Sequence, residues 1–366
     1  MHLTTNPPLT TLLLFPLLSL LLPPTTSLPT TTTNTTHWHT LPPIPSLPRQ
    51  EHTTVYHAPS STLYILGGII PTNDTTLVPP VDTASILQAY NLETQTWTEP
   101  ATLARIPRAL NHINAAVVGG KVWVVGGLAE DGDGGEGRVW RGVKDVYVYA
   151  PESDVWETLN SSSSPFPTPR GSAAVGTYNS IIYLAGGLTA LAFTPPTQNS
   201  SKIVSAFNTS SQAWIDLPPL ARTLPEERDH AASAVIGSKF YILGGRAFGQ
   251  ENVKDTVFVL DFEDLEKGWR VSEARMPTAR GGVAAGVVGK KVYTFGGEGN
   301  RGSESGVFDQ VEVFDVEGES WEKVEGGMRV PRHGTFAVGV EGRVYVPGGG
   351  VRQGGAPVMD FDVFVP

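Results

Sequence analysis

Six arginines recur along the chain at nearly regular intervals, and each could hold an anionic ligand. They are Arg49, Arg108, Arg170, Arg228, Arg280 and Arg332. A guanidinium group binds a carboxylate through two parallel hydrogen bonds, so a ring of arginines at one mouth could select a carboxylate or a sugar acid. An arginine that returns in every repeat equally suits a structural role, in which it ties a loop to backbone carbonyls or nearby acids. The candidate binding residues of this series are Arg108, Arg170, Arg228, Arg280 and Arg332.

Histidines follow several of these arginines within a few residues. Counted back from the next Gly-Gly pair, His52 and His333 share one position, and His112 and His230 share the next. Four imidazoles near one mouth could ligate a metal ion. However, neighbouring positions of a strand point to opposite sides, and the four histidines belong to separate repeats. The pattern therefore favours no bound metal and no cofactor. Further candidate binding residues in these segments are His112, Asp229, His230 and His333.

Other motifs that carry chemistry are weak or missing from the sequence. The acidic stretch from Glu130 to Glu136 slightly resembles a calcium-binding loop, but it lacks the 12-residue pattern and its final glutamate, so we interpret it as a solvated loop. The chain has no cysteine, which removes thiol chemistry. It contains no Gly-x-Ser-x-Gly elbow, zincin motif, phosphate loop or dinucleotide fingerprint. The motifs therefore favour a protein that is not an enzyme, without deciding the question.

A double glycine recurs about every 50 to 60 residues and defines the elements that must position these side chains. The pairs begin at Gly67, Gly126, Gly186, Gly244, Gly296 and Gly348. An aromatic residue lies three positions before each pair, at Tyr64, Trp123, Tyr183, Tyr241, Tyr293 and Tyr345. A tryptophan precedes each arginine, at Trp38, Trp97, Trp156, Trp214, Trp269 and Trp321. Short apolar runs between glycines and prolines, with only 17% charged residues, predict an all-β unit of four strands per repeat.

This set of arginine, double glycine, aromatic residue and tryptophan resembles the kelch repeat, with six matching copies over residues 37–366. The resemblance implies a six-bladed β-propeller with four antiparallel strands per blade, of the kelch and galactose oxidase superfamily. Small residues such as Ala115 and Ala173 suit inner strands that crowd around a propeller axis. Copper chemistry of the galactose oxidase type requires a tyrosine crosslinked to a cysteine. The lack of cysteine therefore disfavours that chemistry here.

The copies are offset at the two ends of the chain. The last copy ends after a strand around Phe364 and has no tryptophan strand, whereas Trp38 lies upstream of the first complete copy. We therefore expect residues 37–41 to supply the fourth strand of the last blade and to pair with the C-terminal strand. This pairing would hide two sheet edges and close the propeller without disulfides.

Loop lengths distinguish the two faces of such a propeller. The connections within the inner hairpins are short, whereas those that follow each double glycine are long and variable. The long connections span residues 69–82, 128–144, 188–201, 246–254 and 298–309. We call the side on which they lie the long-loop face. Because variable loops on a rigid scaffold commonly carry binding function, we expect a ligand to bind there.

The N-terminal segment predicts secretion. An apolar run from Leu12 to Leu22 is too short for a membrane span and suits a signal peptide over residues 1–27, with an uncleaved anchor as the alternative. Residues 28–36 form a Thr-rich segment before the propeller at 37–366. Five Asn-x-Ser/Thr sequons suit a secreted glycoprotein: Asn34, Asn73, Asn160, Asn199 and Asn208.

Charge and pattern together restrict the partners. The net charge of −10 opposes nucleic-acid binding, which needs clustered lysine and arginine. The leading hypothesis is a monomeric extracellular binding or scaffold module, with no membrane span in the mature chain, whose long-loop face engages a protein or a glycan. A carbohydrate-active enzyme of the sugar-acid mutarotase or epimerase type is the alternative. It would use an arginine at the mouth and an acid or histidine for proton transfer. A purely structural matrix role is a third reading.

Overall fold

In the described part of the chain, regular structure consists almost entirely of strands. The computed structural model describes residues 1–2, 37–74, 76–131, 138–159 and 166–366. Apart from its first two residues, the predicted signal peptide lies outside this part of the chain, as do the Thr-rich segment, Asn34 and Asn160. The helices within it are 3-10 helices of three residues each, at Ala58–Ser60, Pro100–Thr102 and Leu265–Lys267. The prediction of an all-β chain is confirmed.

None of the helices in the described ranges is long and apolar enough to cross a membrane.

Six antiparallel sheets of four strands each contain one copy of the repeat, and their strands are given from the innermost outward. Sheet 1 contains Thr53–His57, Thr62–Leu66, Leu87–Asn91 and Thr96–Trp97. Sheet 2 contains Ala115–Val118, Lys121–Val125, Val146–Ala150 and Val155–Leu159. Sheet 3 contains Ala174–Tyr178, Ile181–Ala185, Val204–Asn208 and Ala213–Ile215.

The remaining three of these sheets follow the same order. Sheet 4 contains Ala232–Ile236, Lys239–Leu243, Val257–Asp261 and Arg270–Val271. Sheet 5 contains Ala284–Val288, Lys291–Phe295, Val311–Asp315 and Ser320–Val324. Sheet 6 contains Val338–Val340, Arg343–Pro347, Phe361–Phe364 and Trp38–Thr40. The repeat pattern therefore predicts the strand content of each sheet.

The innermost strands of neighbouring sheets contact one another, and the innermost strand of sheet 6 contacts that of sheet 1. Together they line a cavity of about 480 Å³. Small residues allow the innermost strands of neighbouring sheets to approach one another closely. A Cβ atom on Gly339 of sheet 6 would lie 1.9 Å from the carbonyl oxygen of Val287 in sheet 5, a distance that no side chain tolerates. The small residues of the sequence thus face the axis that the sheets share.

Tryptophans of the series join their sheets to the sheet before in the chain. Trp97 Nε1 donates to Pro42 O at 3.0 Å, and Trp156 Nε1 donates to Ala104 O at 3.0 Å. Trp269 and Trp321 make the corresponding bonds to Ala221 O and Ala274 O. In every case the acceptor belongs to the segment that leaves the preceding sheet. The spacing of the tryptophans therefore reflects a contact between neighbouring sheets.

Strand Trp38–Thr40 occupies the outer edge of sheet 6. It pairs antiparallel with Phe361–Phe364, with Trp38 opposite Phe364 and Thr40 opposite Asp362. Trp38 Nε1 donates to Gly327 O at 2.6 Å, in the segment that leaves sheet 5. The predicted pairing of the first and last strands is thus present.

The long connections carry strands of their own, which the sequence analysis treats only as variable loops. Leu128–Asp131, Val139–Gly142, Leu188–Phe193 and Pro196–Ser200 form one further four-stranded sheet from the connections of sheets 2 and 3. Two-stranded sheets add Ile69–Pro71 with Val81–Thr83, and Gly350–Arg352 with Gly355–Pro357. Ordered strands therefore build a wall on the long-loop face.

Candidate functional site

Six residues that precede the inner strands adopt the left-handed backbone conformation, with φ between 49° and 60°. They are Glu51, His112, Ser172, His230, Gly282 and Gly334, and we call them the inner ring. Five backbone N–H groups donate to the carbonyl oxygen of the preceding member at 2.7 to 3.1 Å, including Glu51 N to Gly334 O. In the sixth place His230 N donates to Ser172 Oγ at 3.2 Å. Hydrogen bonds thus connect all six members.

Three members of the inner ring carry titratable side chains in a conformation that suits glycine. Gly282 and Gly334 adopt a positive φ without steric cost, whereas Glu51, His112 and His230 each lose about 1 to 2 kcal/mol there. Backbone strain of this kind is concentrated at functional sites. Strain together with a titratable side chain therefore makes these three residues the best functional candidates of the ring.

The side chains of these three residues converge. His112 Nε2 lies 3.3 Å from Glu51 Oε2, and His230 Nε2 lies 3.8 Å from the same oxygen. The two imidazole Nε2 atoms lie 3.0 Å apart. All three residues are buried, with at most 9% of any of them exposed. We call Glu51, His112 and His230 the central triad.

Neighbouring side chains determine the tautomer of both histidines. His112 Nδ1 lies 2.6 Å from Asn111 Oδ1, and Asn111 Nδ2 donates to Thr83 Oγ1 at 2.8 Å, which orients the amide. His230 Nδ1 lies 2.6 Å from Asp229 Oδ1. Because these oxygens are acceptors, both Nδ1 atoms carry hydrogen and donate. In the neutral imidazoles, both Nε2 atoms therefore present lone pairs to the centre of the triad.

Further charges surround the triad. Arg246 donates through Nε to Asp229 Oδ1 at 3.2 Å and forms an ion pair with Glu298. Its Nη2 donates to His230 Nε2 at 3.1 Å. With Glu51, the buried cluster contains three carboxylates and one guanidinium. If its histidines are neutral, it has an excess of two negative charges.

His333 lies at the edge of the same cluster. Its Nε2 donates to Arg352 O at 2.7 Å. Its Nδ1 lies 3.4 Å from Glu298 Oε2 and 3.9 Å from Glu51 Oε1. The ring is fully buried, so its Nδ1 faces two carboxylates out of contact with water.

Burial controls the protonation of this cluster. Loss of water lowers the pKa of His112, His230 and His333, and Arg246 lowers it further. Burial alone would raise the pKa of Glu51, whereas positive charge on the surrounding imidazoles and on Arg246 lowers it to about 2. The Glu51 carboxylate is therefore stabilised by nearby positive charge, while burial opposes that charge on the imidazoles themselves.

A pocket of about 320 Å³ opens above the triad on the long-loop face. Gln50, Glu51, His112 and Arg246 contribute to its floor. Its walls come from the connections of several sheets and include Val78, Trp140, Phe193, Phe248 and Gln250. Trp140 packs edge to face against Phe193 with ring centroids 4.8 Å apart, and Phe248 remains 60% exposed. The pocket thus combines apolar, aromatic walls with a charged floor.

The predicted arginines lie outside this pocket. Arg170, Arg228 and Arg280 are buried and donate to the carbonyl oxygens of Gly186, Gly244 and Gly296 at 2.6 to 2.7 Å. Arg332 is also buried and donates to Asp360 O and Asp362 Oδ2. These contacts match the structural role that the sequence analysis held open. None of the four is among the residues described as lining the pocket.

At Arg108 the structure differs from the register that the repeat spacing predicts. This side chain is 46% exposed and pairs with Asp145 at 3.0 Å. Leu110 takes the position equivalent to the buried arginines, because Asn111 bridges Leu128 as Gly171 bridges Leu188. Arg108 therefore lies two residues outside the register that its spacing predicted.

The predicted histidine register also needs a correction. Gln50 bridges Ile69 in the place where His333 bridges Gly350, so Gln50 is the equivalent of His333. His52 lies beyond the inner ring, where its Nε2 contacts Pro347 O at 2.9 Å. The first hairpin of sheet 1 includes the 3-10 helix Ala58–Ser60, which lengthens the interval to the double glycine. Counting back from the double glycine therefore assigns the residues of this first copy to the wrong repeat positions.

Of the candidate binding residues, Asp229, His230 and His333 converge with His112, whereas Arg228 does not join them. Sequence reasoning missed Glu51, Arg246 and Glu298. Glu51 occupies the same position of the inner ring as His112 and His230. Arg246 and Glu298 each follow a double glycine directly, at the position where other copies have Ile69, Leu128 and Leu188. A charged residue in a place that other copies fill with an apolar one was the available signal.

Two of the predicted glycosylation sites lie in the long connections. Asn73 and Asn199 are exposed. Asn208 is half-buried, and its Oδ1 accepts hydrogen bonds from the N–H groups of Ser210 and Ser211. The attachment of a glycan to any of them stays a prediction.

Comparisons with known proteins agree with the repeat. Residues 24–235 and 193–350 match the KLHDC2/KLHL20/DRC7 Kelch-repeats domain. The chain is similar to Kelch-like protein terF of Aspergillus terreus, with 36% identity over 333 residues, which cover 90% of this chain and 68% of the relative. It is also similar to the N-acetylneuraminate epimerase of Vibrio vulnificus, with 27% identity over 168 residues, 45% of this chain and 40% of that protein.

A solved structure resembles the fold. The protein described as "Structure of YjhT" superimposes with a TM-score of 0.68 at 19% identity, over 89% of this chain and 97% of the other. At this identity the likeness concerns the fold alone. The repeat, the four-stranded antiparallel sheets and the domain match lead to one conclusion: this chain belongs to the kelch-repeat family and folds as a kelch β-propeller.

Proposed function

We propose that this protein is a binding or scaffold module that takes the end of a glycan chain into the pocket on its long-loop face. The observation that carries the proposal is the pocket itself, which places Trp140, Phe193 and Phe248 above a floor containing Glu51 and Arg246. Ligand pockets typically combine apolar walls with a few polar groups that orient the ligand. This pocket has both.

The chemistry of the pocket suits a sugar. The C–H face of a pyranose packs on an aromatic ring, while its hydroxyl groups exchange hydrogen bonds with carboxylates, amides and guanidinium groups. Gln50, Gln198 and Gln250 add amide groups to the lining. A volume of about 320 Å³ matches a terminal sugar more closely than an extended peptide.

The test is binding to a glycan array by the purified protein and by Phe248→Ala. Phe248 is 60% exposed, so its removal should leave the fold intact and weaken binding by about tenfold or more. Leu220→Ala is the matched control, because Leu220 is 64% exposed and is not among the pocket residues. Equal binding by Phe248→Ala and Leu220→Ala would remove the pocket from the proposal. Recovery of a protein partner without any glycan signal would favour a protein ligand instead.

We further propose that the six sheets are the six blades of a closed propeller. The hydrogen bonds between members of the inner ring support this reading, as does the contact of the innermost strand of sheet 6 with that of sheet 1. The edge strand Trp38–Thr40 would then close the ring from the N-terminal side.

A secreted, monomeric glycoprotein is part of the same proposal. The apolar run from Leu12 to Leu22 and the exposed Asn73 and Asn199 support it. Expression of the full chain in a eukaryotic secretory host should deliver protein to the medium, with a mass that falls on endoglycosidase treatment. Retention in the cell would contradict secretion. Light scattering of the purified protein measures its molar mass in solution and so tests whether it is a monomer.

A second candidate is a sugar-acid epimerase or mutarotase. It is favoured by the titratable groups Glu51 and His112 in the pocket floor, next to Arg246, which could hold a carboxylate. The similarity to a protein named N-acetylneuraminate epimerase adds to it. Exchange between sugar-acid anomers, followed by NMR, should be accelerated by the wild type and lost in Glu51→Gln. Exchange no faster than in buffer would reject this candidate.

A further inference from the structure

We propose that Glu51, His112 and His230 bind a divalent transition-metal ion of the zinc type, with an open coordination position facing the pocket. This inference is independent of the proposed glycan binding, since it concerns the triad alone. It differs from the expectation drawn from the sequence, which favoured no bound metal because the four histidines belong to separate repeats and neighbouring strand positions point to opposite sides. The common position of Glu51, His112 and His230 in the inner ring directs these side chains instead to one point.

The geometry of the triad suits a tetrahedral ion. One ligand atom from each residue lies within 4.8 Å of the other two. The separations are 3.0 Å between the Nε2 atoms, and 3.3 and 3.8 Å from these atoms to Glu51 Oε2. Zinc bonds of about 2.0 to 2.1 Å place tetrahedral ligands about 3.3 Å apart. Small movements of the side chains would therefore complete three bonds.

The facing imidazoles require a positive group between them. Asn111 and Asp229 keep the hydrogen of each ring on Nδ1, so two Nε2 lone pairs face each other at 3.0 Å. Arg246 Nη2 donates to the lone pair of His230 at 3.1 Å, whereas among the described residues the lone pair of His112 faces only His230 Nε2 and Glu51 Oε2, so this contact is repulsive unless a proton or a cation lies there. A metal ion binds imidazoles in their neutral form, in which both Nε2 lone pairs are available to it.

The charge of the surroundings favours a dication. Glu51, Asp229 and Glu298 are buried with a single compensating guanidinium, that of Arg246. With neutral histidines the cluster has two negative charges in excess, and buried charge without a partner is strongly unfavourable. A divalent ion supplies the missing charge. Arg246 Nη2, which donates to His230 Nε2 at 3.1 Å, would move toward its two carboxylate partners to make room.

The hydrogen bonds that orient the two imidazoles are typical of a metal site. Histidine ligands in metalloproteins commonly donate their other ring hydrogen to a carboxylate or a carbonyl oxygen, which orients the ring. Asp229 and Asn111 provide such acceptors for His230 and His112, each at 2.6 Å. Glu51 and His112 also line the pocket, which provides an entry path and room for water or a ligand oxygen as the fourth ligand.

The test measures metal content directly. Full-length protein without a polyhistidine tag is incubated with Zn²⁺, dialysed and analysed by mass spectrometry for metal per chain. Replacement by Co²⁺ provides a second readout, because tetrahedral cobalt absorbs strongly in the visible range. We expect one equivalent in the wild type, and at least a hundredfold loss of affinity in His112→Ala, His230→Ala and Glu51→Gln. His39→Ala, which removes an exposed histidine, should bind like the wild type.

The outcomes separate a metal from a shared proton. Near-ultraviolet circular dichroism shows which variants keep the fold, and Glu51→Gln, which preserves side-chain shape, covers the case in which a histidine variant does not fold. A folded wild type that retains neither Zn²⁺ nor Co²⁺ would overturn the proposal and leave a proton between the imidazoles. Metal retained equally by all folded triad variants would overturn it as well. Because no glycan is present, failure of glycan binding does not affect these results.

Discussion

His112 Nε2 and His230 Nε2 lie 3.0 Å apart although 118 residues separate the two histidines in the chain. Each is a member of the inner ring and has the same left-handed backbone conformation, with φ of 49° and 50°. The contact therefore follows from the repeat, since equivalent positions in different sheets converge on the axis. The side chains at those positions distinguish this chain from a propeller with glycine in every place of the ring.

The pairing of strand Trp38–Thr40 at the edge of sheet 6 predicts how N-terminal truncation changes stability. Removal of residues 28–36 should leave stability unchanged, because none of the described strands begins before Trp38. Removal through Leu41 should destabilise the fold by several kcal/mol, because it exposes Phe361–Phe364 and breaks the bond from Trp38 to Gly327 O. Urea unfolding of both truncated forms checks the prediction. Equal stability would contradict closure by this strand.

Arg280 and Arg108 should respond differently to replacement. Arg280 and Glu312 form an ion pair at 2.9 Å with both side chains fully buried. Arg280→Leu should therefore cost about 3 to 5 kcal/mol, because it leaves a buried carboxylate unpaired. Arg108→Leu removes a 46% exposed side chain and should change stability by less than about 1 kcal/mol. Chemical denaturation of both variants measures the difference, and a similar cost for the two would refute the structural role of the arginine series.

Two glycines of sheet 5 provide a matched pair. Gly296 and Gly289 have φ of 56° and 59°. A Cβ atom on Gly296 would lie 2.0 Å from Arg332 O, whereas one on Gly289 would meet nothing within 4 Å. Gly289→Ala should cost about 1 to 2 kcal/mol from backbone strain alone. Gly296→Ala should lower the stability measured by thermal unfolding clearly more, because the clash with Arg332 O adds to the strain. Equal losses would show that glycine is needed at Gly296 for its backbone conformation alone.

His52 should make stability depend on pH. Burial lowers its pKa from 6.5 to about 3, with Arg49 adding to the effect. The unfolded chain then binds a proton that the folded chain refuses, so stability falls as pH decreases from about 6.5 toward 3. One such histidine contributes about 1.4 kcal/mol per pH unit. Between pH 6 and 5 the free energy of unfolding should fall less steeply with decreasing pH in His52→Gln than in the wild type, by about this amount per pH unit. An unchanged slope would contradict the assignment to His52.

Much of the fold follows from local pattern. The double glycines, tryptophans and aromatic residues recur because every sheet meets its neighbour through the same contacts, such as Trp156 with Ala104 and Gly296 with Arg332. The offset of Trp38 against Phe364 predicts their pairing for the same reason. Where a hairpin changes length, as at Ala58–Ser60, counting along the chain loses the register.

The repeat, the strands and the face with long connections follow from the sequence, because each depends on residues close together in the chain. The site depends on the tertiary structure. Glu51, His112 and His230 come from three sheets, and only the arrangement of those sheets around a common axis brings their side chains within 4.8 Å of one another. The same arrangement removes water from the cluster, and this burial changes the protonation of groups whose residue types alone indicate ordinary histidines and carboxylates.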